Sequence, residues 1–97
     1  MKKIKDPALF EKIREFLTEH LPIIKKESPN TVEAYRYTLN LYLDFLQEML
    51  AKDLSSITSL DFTKKNILTF MDWLISKRKN RASTANLRLV HLRNFCR

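Results

Sequence analysis

The stretch SPNTVEAYRYTLNLYLDFLQEML, from Ser28 to Leu50, decides the fold. Its Val32, Tyr35, Leu39, Tyr42, Leu43, Leu46, Met49 and Leu50 recur at steps of three and four, the pattern of a helix turned towards a core. With Ala34, Leu41 and Phe45 they fill an arc of roughly 200°, wider than the apolar stripe of a surface helix. Such a helix needs neighbours on two sides. Glu33, Arg36, Tyr37, Asn40, Asp44, Gln47 and Glu48 hold the narrow remaining arc, so water or a polar partner lies along it.

Ninety-seven residues suffice for one domain, 1–97, and leave no room for a second independent fold. Glycine is absent and proline occurs three times, so the residues of tight hairpins are missing and helix formers dominate. The expected class is all-α. The single cysteine, Cys96, cannot close an internal disulfide, and Met1-Lys2-Lys3 leads into a charged stretch instead of an apolar signal core. A cytoplasmic location is therefore expected. No apolar run approaches the roughly 18–20 residues that span a bilayer, so no membrane partner is expected.

The formal charge of +7 is unevenly spread. From Met1 to Glu27 there are seven Lys/Arg against five Asp/Glu, from Ser28 to Phe62 two against five, and from Thr63 to Arg97 nine against one. A basic surface confined to the last third suits either a polyanion, nucleic acid first among them, or a solubilising surface.

Before the central stretch, Asp6-Pro7 opens a first helix, with Asp6 as N-cap and proline where its missing N–H is not needed. Leu9, Ile13, Phe16 and Leu17, with Phe10 beside them, form its buried stripe, and Pro22 is expected to stop it near His20. His20 has no partners at ligand spacing, so a solvated helix end is expected, with no metal and no cofactor. Ser28-Pro29 repeats the capped start on the central helix, with Asn30 and Glu33 as an alternative cap. Ser28, Asn30 and Thr31 thus gather at a helix N-terminus, which suits capping and phosphate binding equally.

After the central helix, Ala51 to Leu60 breaks the helical period and reads as a structured connection anchored by Leu54, Ile57 and Leu60. Phe62-Thr63 starts a third helix, with Thr63 as N-cap and Phe62 and Ile67 as a hydrophobic staple. It should run to about Ser76 on an inner stripe of Ile67, Phe70, Met71 and Leu74. Trp73 is placed on the opposite side, either as a contact for another domain or covered by connecting loops. KRKNR, Lys77 to Arg81, carries four basic residues in five and reads as a solvated loop. Ser83 is expected to cap a fourth helix with Ala85, Leu89, Leu92, Phe95 and Cys96 inside. Asn86, Arg93 and Arg97 fall outside it, and Thr84, Arg88 and His91 along one border.

SPNTVEAYRYTLNLYLDFL and the later ASTANLRLVHLRNF resemble the core-binding domain of tyrosine recombinases, the phage integrase family. The resemblance rests on Ser28, Thr31, Tyr35, Leu39 and Phe45 in the first motif. In the second it rests on Thr84, Asn86, Leu89, Leu92, Arg93 and Phe95. It implies a SAM-like bundle of four or five helices that forms one half of a clamp on double-stranded DNA. The second and fourth helices would reach the major groove, with Asn30, Thr31 and Arg36 at one contact and Ser83, Thr84, Asn86 and Leu87 at the other. Lys77, Arg78, Lys79 and Arg81 would meet phosphates, supplying affinity more than sequence choice. Leu87 departs from the basic residue often found at its position; it would suit a thymine methyl, with Arg88 as the nearest replacement cation.

The resemblance further implies a parent enzyme whose catalytic domain follows and whose protomers assemble on DNA. Within 1–97 the chain has no catalytic constellation: Tyr35, Tyr37 and Tyr42 share one helix, two of them on its buried face, with no basic cluster beside them. Tyr37 alone is open to a contact role. The main alternative is a helical protein–protein interaction module whose Trp73 and basic face meet an acidic partner. A helix-turn-helix regulator fits less well, because the charged loop from Lys77 to Arg81 replaces a tight turn.

Overall fold

The structure, a computed structural model, describes residues 3–97; Met1 and Lys2, the head of the charged start, lie outside them. Among the described residues there is helix and no strand. Helix α1 (Pro7–Glu15) runs into a π-helical stretch (Phe16–Ile24), followed by α2 (Pro29–Met49). Two short 3-10 turns (Leu54–Ser56 and Ser59–Asp61) then lead to α3 (Lys64–Ser76) and α4 (Ala82–Cys96). The all-α bundle is the expected one. No described helix is long and apolar enough to cross a membrane.

Three of the four helix starts form at the expected caps, because each cap is a short local bond. Asp6 Oδ1 accepts from the Leu9 N–H at 3.2 Å, Ser28 Oγ from Thr31 at 3.2 Å, and Thr63 Oγ1 from Asn66 at 3.1 Å. The start of α4 differs. Arg81 stands at its N-cap position and its carbonyl already accepts from the Ala85 N–H at 3.0 Å, so Ser83 lies inside the first turn and caps nothing.

Pro22 does not stop the first helix near His20. The chain widens to i→i+5 bonding instead, a geometry that accommodates a residue with no N–H and a ring that would strike the carbonyl four positions back. The Lys25 N–H closes this stretch on the His20 carbonyl at 2.8 Å. His20 is accordingly no solvated end: it is half-buried and its ring stacks on Phe16, with centroids 5.4 Å apart.

A chain without glycine must still leave its helices, and it does so in one repeated way. Lys26, Ala51 and Lys79 adopt φ of 54°, 52° and 58°, the left-handed region that glycine usually fills. In each case the next residue donates its N–H to a carbonyl six positions back: Glu27 to Leu21 at 2.9 Å, Lys52 to Leu46 at 3.2 Å and Asn80 to Leu74 at 2.9 Å.

Helix α2 is buried on both flanks. Towards α3, Phe70 lies 5.1 Å from Tyr42 and 5.5 Å from Phe45, and Trp73 lies 5.6 Å from Phe45, ring centre to ring centre. On the other flank Phe16 meets Tyr35 at 5.5 Å and Phe95 of α4 at 5.3 Å. Trp73 is therefore a core residue, only 3% exposed, and not the outward indole expected. It sits three residues after Phe70, and that step makes them neighbours on one ridge of α3. Cys96, placed inside by the sequence pattern, is exposed, as are Met49 and Leu50 at the end of α2.

The connection from Ala51 to Leu60 is held mainly by polar groups. Ile57 is fully buried as expected, but Leu54 and Leu60 are exposed, at 46% and 82%. Their anchoring role falls to Asp61. Its Oδ2 accepts from the Thr58 N–H at 2.9 Å, Oδ1 pairs with Lys52 Nζ at 3.1 Å, and its carbonyl accepts from Tyr42 Oη at 2.6 Å. Asp6 Oδ2, accepting from the Ser59 N–H at 2.9 Å, ties the start of α1 to the same segment.

Between α2 and α4 the packing is polar. The Thr38 hydroxyl, wholly buried, lies 2.7 Å from His91 Nδ1 and 3.1 Å from the Ala34 carbonyl, and accepts from Arg88 Nη1 at 3.0 Å. Tyr35 packs on the His91 ring at 4.1 Å, and its hydroxyl accepts from Asn94 Nδ2 at 2.7 Å. Burial, reinforced by the neighbouring Arg88 charge, pulls the His91 imidazole down to about 4.

Two predictions follow from these local features. Ala51→Gly relieves a left-handed alanine at an exposed site, so urea unfolding should show a gain of about 0.5–1 kcal/mol after the glycine's extra unfolded-state entropy is subtracted. A loss would mean that the Ala51 methyl packs. For His91, the folded state refuses a proton that the unfolded chain takes up below about pH 6.5. Its contribution is thus complete above that value and lost as pH falls towards 4. Unfolding free energy should drop by about 2 kcal/mol between pH 7 and pH 5, and His91→Gln should flatten that drop; parallel curves would assign the loss to other groups.

Candidate nucleic-acid interface

The expected contact residues occupy three places. At the start of α2, Asn30 is exposed and Thr31 half-buried, with the Thr31 hydroxyl 3.0 Å from Ser28 Oγ. Arg36, one turn on, is exposed and paired with Glu33 at 3.1 Å. This start is neutralised locally: a serine satisfies one of its N–H groups and a glutamate shares its arginine.

The basic loop is ordered by its own backbone. The Lys77 and Arg78 N–H groups both donate to the Trp73 carbonyl, at 2.9 and 3.2 Å, and Asn80 Nδ2 donates to the Arg78 carbonyl at 3.1 Å. The buried indole also carries the Arg78 guanidinium over its ring at 5.4 Å. Lys77, Arg78, Lys79 and Arg81 are all exposed, and among the described residues none of the four is paired with a carboxylate.

This loop runs straight into the start of α4, which no side chain caps. Ser83, Asn86 and Leu87 are exposed there and Thr84 is half-buried. First-turn N–H groups without a side-chain acceptor, next to four unpaired cations, form an electropositive surface fitted to an anion. The arrangement needs no catalytic group to work, and no group of three His, Cys, Asp or Glu side chains among the described residues could hold a metal ion.

Contacts along α2 and α4 set the spacing of these places. Thr38 meets Arg88 and His91, Tyr35 meets His91 and Asn94, and Arg88 also reaches the Ala34 carbonyl, so the two helices cross at these residues. Thr31 precedes Thr38 by seven residues and Thr84 precedes His91 by seven, which puts each helix start ~10 Å along its own axis from the crossing. The α4 start and the basic loop therefore form one continuous region, and the α2 start a second.

Arg88 belongs to neither. It is half-buried at the crossing, where Nη1 donates to Thr38 Oγ1 at 3.0 Å and to the Ala34 carbonyl at 3.3 Å, and its guanidinium lies 4.8 Å over the Tyr37 ring. These partners lie 50 or more residues away in sequence, beyond any local pattern. Asp61 did have a sequence signal, the Thr58-x-x-Asp61 spacing of a capping box, which forms in full.

The model for the phage integrase N-terminal SAM-like domain matches residues 13–97. A protein of Sinorhizobium fredii (strain NBRC 101917 / NGR234) that carries the name integrase/recombinase y4rD is 30% identical over 89 residues. That match takes in 92% of this chain and 30% of the relative's length. No solved structure matches the chain. With a family model covering both helix starts and the crossing between α2 and α4, the chain belongs to the phage integrase N-terminal SAM-like domain family.

Proposed function

We propose that residues 1–97 form the core-binding module of a site-specific tyrosine recombinase, holding double-stranded DNA as one half of a clamp during integration and recombination. The observation that carries this reading is the uncapped start of α4 joined to four exposed cations without carboxylate partners. Lys77, Arg78, Lys79 and Arg81 neutralise phosphates, and the α4 start presents Ser83, Thr84, Asn86 and Leu87 to base edges, Leu87 suited to a thymine methyl. Asn30, Thr31 and Arg36 make the second contact, from the start of α2.

On this reading the strand-breaking chemistry resides in a catalytic domain elsewhere in the parent chain. The other partners are recombinase protomers on the same DNA, and the work is done in the cytoplasm. The competing protein-interaction module loses Trp73 as a contact, since that indole is buried.

Amide NMR titration with a short mixed-sequence duplex tests the reading. Shifts should concentrate at Ser28–Arg36 and Lys77–Leu87 and fade as salt rises; a spectrum unmoved at low salt would overturn DNA binding by this domain. Anisotropy titrations at several salt concentrations separate the roles. Arg81→Ala should weaken all duplexes alike and lower the salt slope by about 0.9, the value of one released phosphate contact. Thr84→Ala should weaken binding with the slope unchanged.

A further inference from the structure

Arg88 follows Thr84 by one turn of α4, yet its geometry is wrong for gripping a phosphate. A guanidinium holds an oxyanion best through two parallel N–H groups, either Nε with Nη2 or Nη1 with Nη2. In Arg88, Nη1 is committed to two acceptors on α2, Thr38 Oγ1 at 3.0 Å and the Ala34 carbonyl at 3.3 Å. Nε is buried and has no partner. Each fork thus lacks one prong. The flat face is taken as well, since it lies 4.8 Å over the Tyr37 ring.

Tyr37 has the opposite character. It is 52% exposed on the narrow polar arc of α2, and its hydroxyl has no hydrogen-bond partner among the described residues. It follows Asn30 by seven residues, two turns along the same face of α2, and meets α4 through Arg88, so a duplex touching the α2 start runs on past it. A free tyrosine ring would sample several rotamers; one clamped by a guanidinium that is itself bonded to the α2 backbone is already in place when DNA arrives.

We propose that Tyr37 is a DNA contact on the exposed face of α2 and that Arg88 is its positioning residue, acting on DNA through Tyr37 and not by a phosphate contact of its own. The ligand is the duplex backbone, with the phenol hydroxyl donating to a phosphate oxygen. The inference rests on the DNA-binding reading above and refines it.

The test is a double-mutant cycle on the whole domain with one mixed-sequence duplex, measured across a salt series, with thermal melting to confirm that each variant is folded. Tyr37→Phe removes only the hydroxyl and should weaken binding three- to tenfold with melting unchanged. Arg88→Met should weaken it to a similar degree while keeping the wild-type salt slope, and the double variant should bind no worse than Arg88→Met alone. Arg88→Lys, which keeps the charge but cannot both stack and bridge, should not restore affinity. A merely structural arginine would give additive losses.

Tyr37→Phe binding like wild type overturns the proposal, as does a slope lowered by about 0.9 in Arg88→Met, additive losses, or full rescue by Arg88→Lys. Failure of the underlying reading looks different: wild-type protein that does not bind the duplex at low salt.

Discussion

The constraint on which this fold depends is that α2 has no free apolar side. Tyr42, Phe45 and Leu46 are wholly buried, and each buried side chain of this size contributes about 1.5–3 kcal/mol relative to exposure. The exposed ion pairs, Arg14 with Glu11 and Arg36 with Glu33, are screened by water and contribute far less. Apolar seating therefore decides where the other helices go: α3 against Tyr42 and Phe45, α4 and the π-helical stretch against Tyr35, with α3 and α4 also packed on each other. What is left of α2 is a narrow polar arc, and any partner of this helix must approach along it.

The two flanks are not alike. Against α3 the contact is aromatic, and aromatic surfaces tolerate small shifts because edge-to-face and tilted pairs span a range of distances. Against α4 the contact is polar, with the single Thr38 hydroxyl serving His91, Arg88 and the Ala34 carbonyl, and Arg88 Nε left without a partner. A slip of one residue would strand several of these groups in a low-dielectric interior, which costs far more than a loosened aromatic pair. The polar flank thus fixes register, and register fixes the distance between the two helix starts.

What was legible in the sequence divides along the same line between local and distant. The class, the central helix and the caps Asp6, Ser28 and Thr63 depend on residues three or four apart, and these were readable. The exits of the helices were not, because a chain without glycine hides its left-handed positions among lysines and an alanine. Pro22 misled for a related reason: it forbids an ordinary α-turn but not a widened one. Trp73 lies inside because α3 is covered more widely than a stripe of four residues implies. Of the candidate site, the basic loop and both helix starts were visible as composition. The inward turn of Arg88 was not, since its partners come from another helix.

Lys79 brings two of these themes together. It supplies the left-handed exit of α3 and one of four unpaired cations in the loop before α4. Glycine would suit the backbone better and would discard the charge; any other cation keeps the charge and the strain. A mutation that relaxes this turn and one that preserves the electropositive surface pull in opposite directions. Selection for fold stability alone and selection for polyanion affinity alone would leave different residues at this one position.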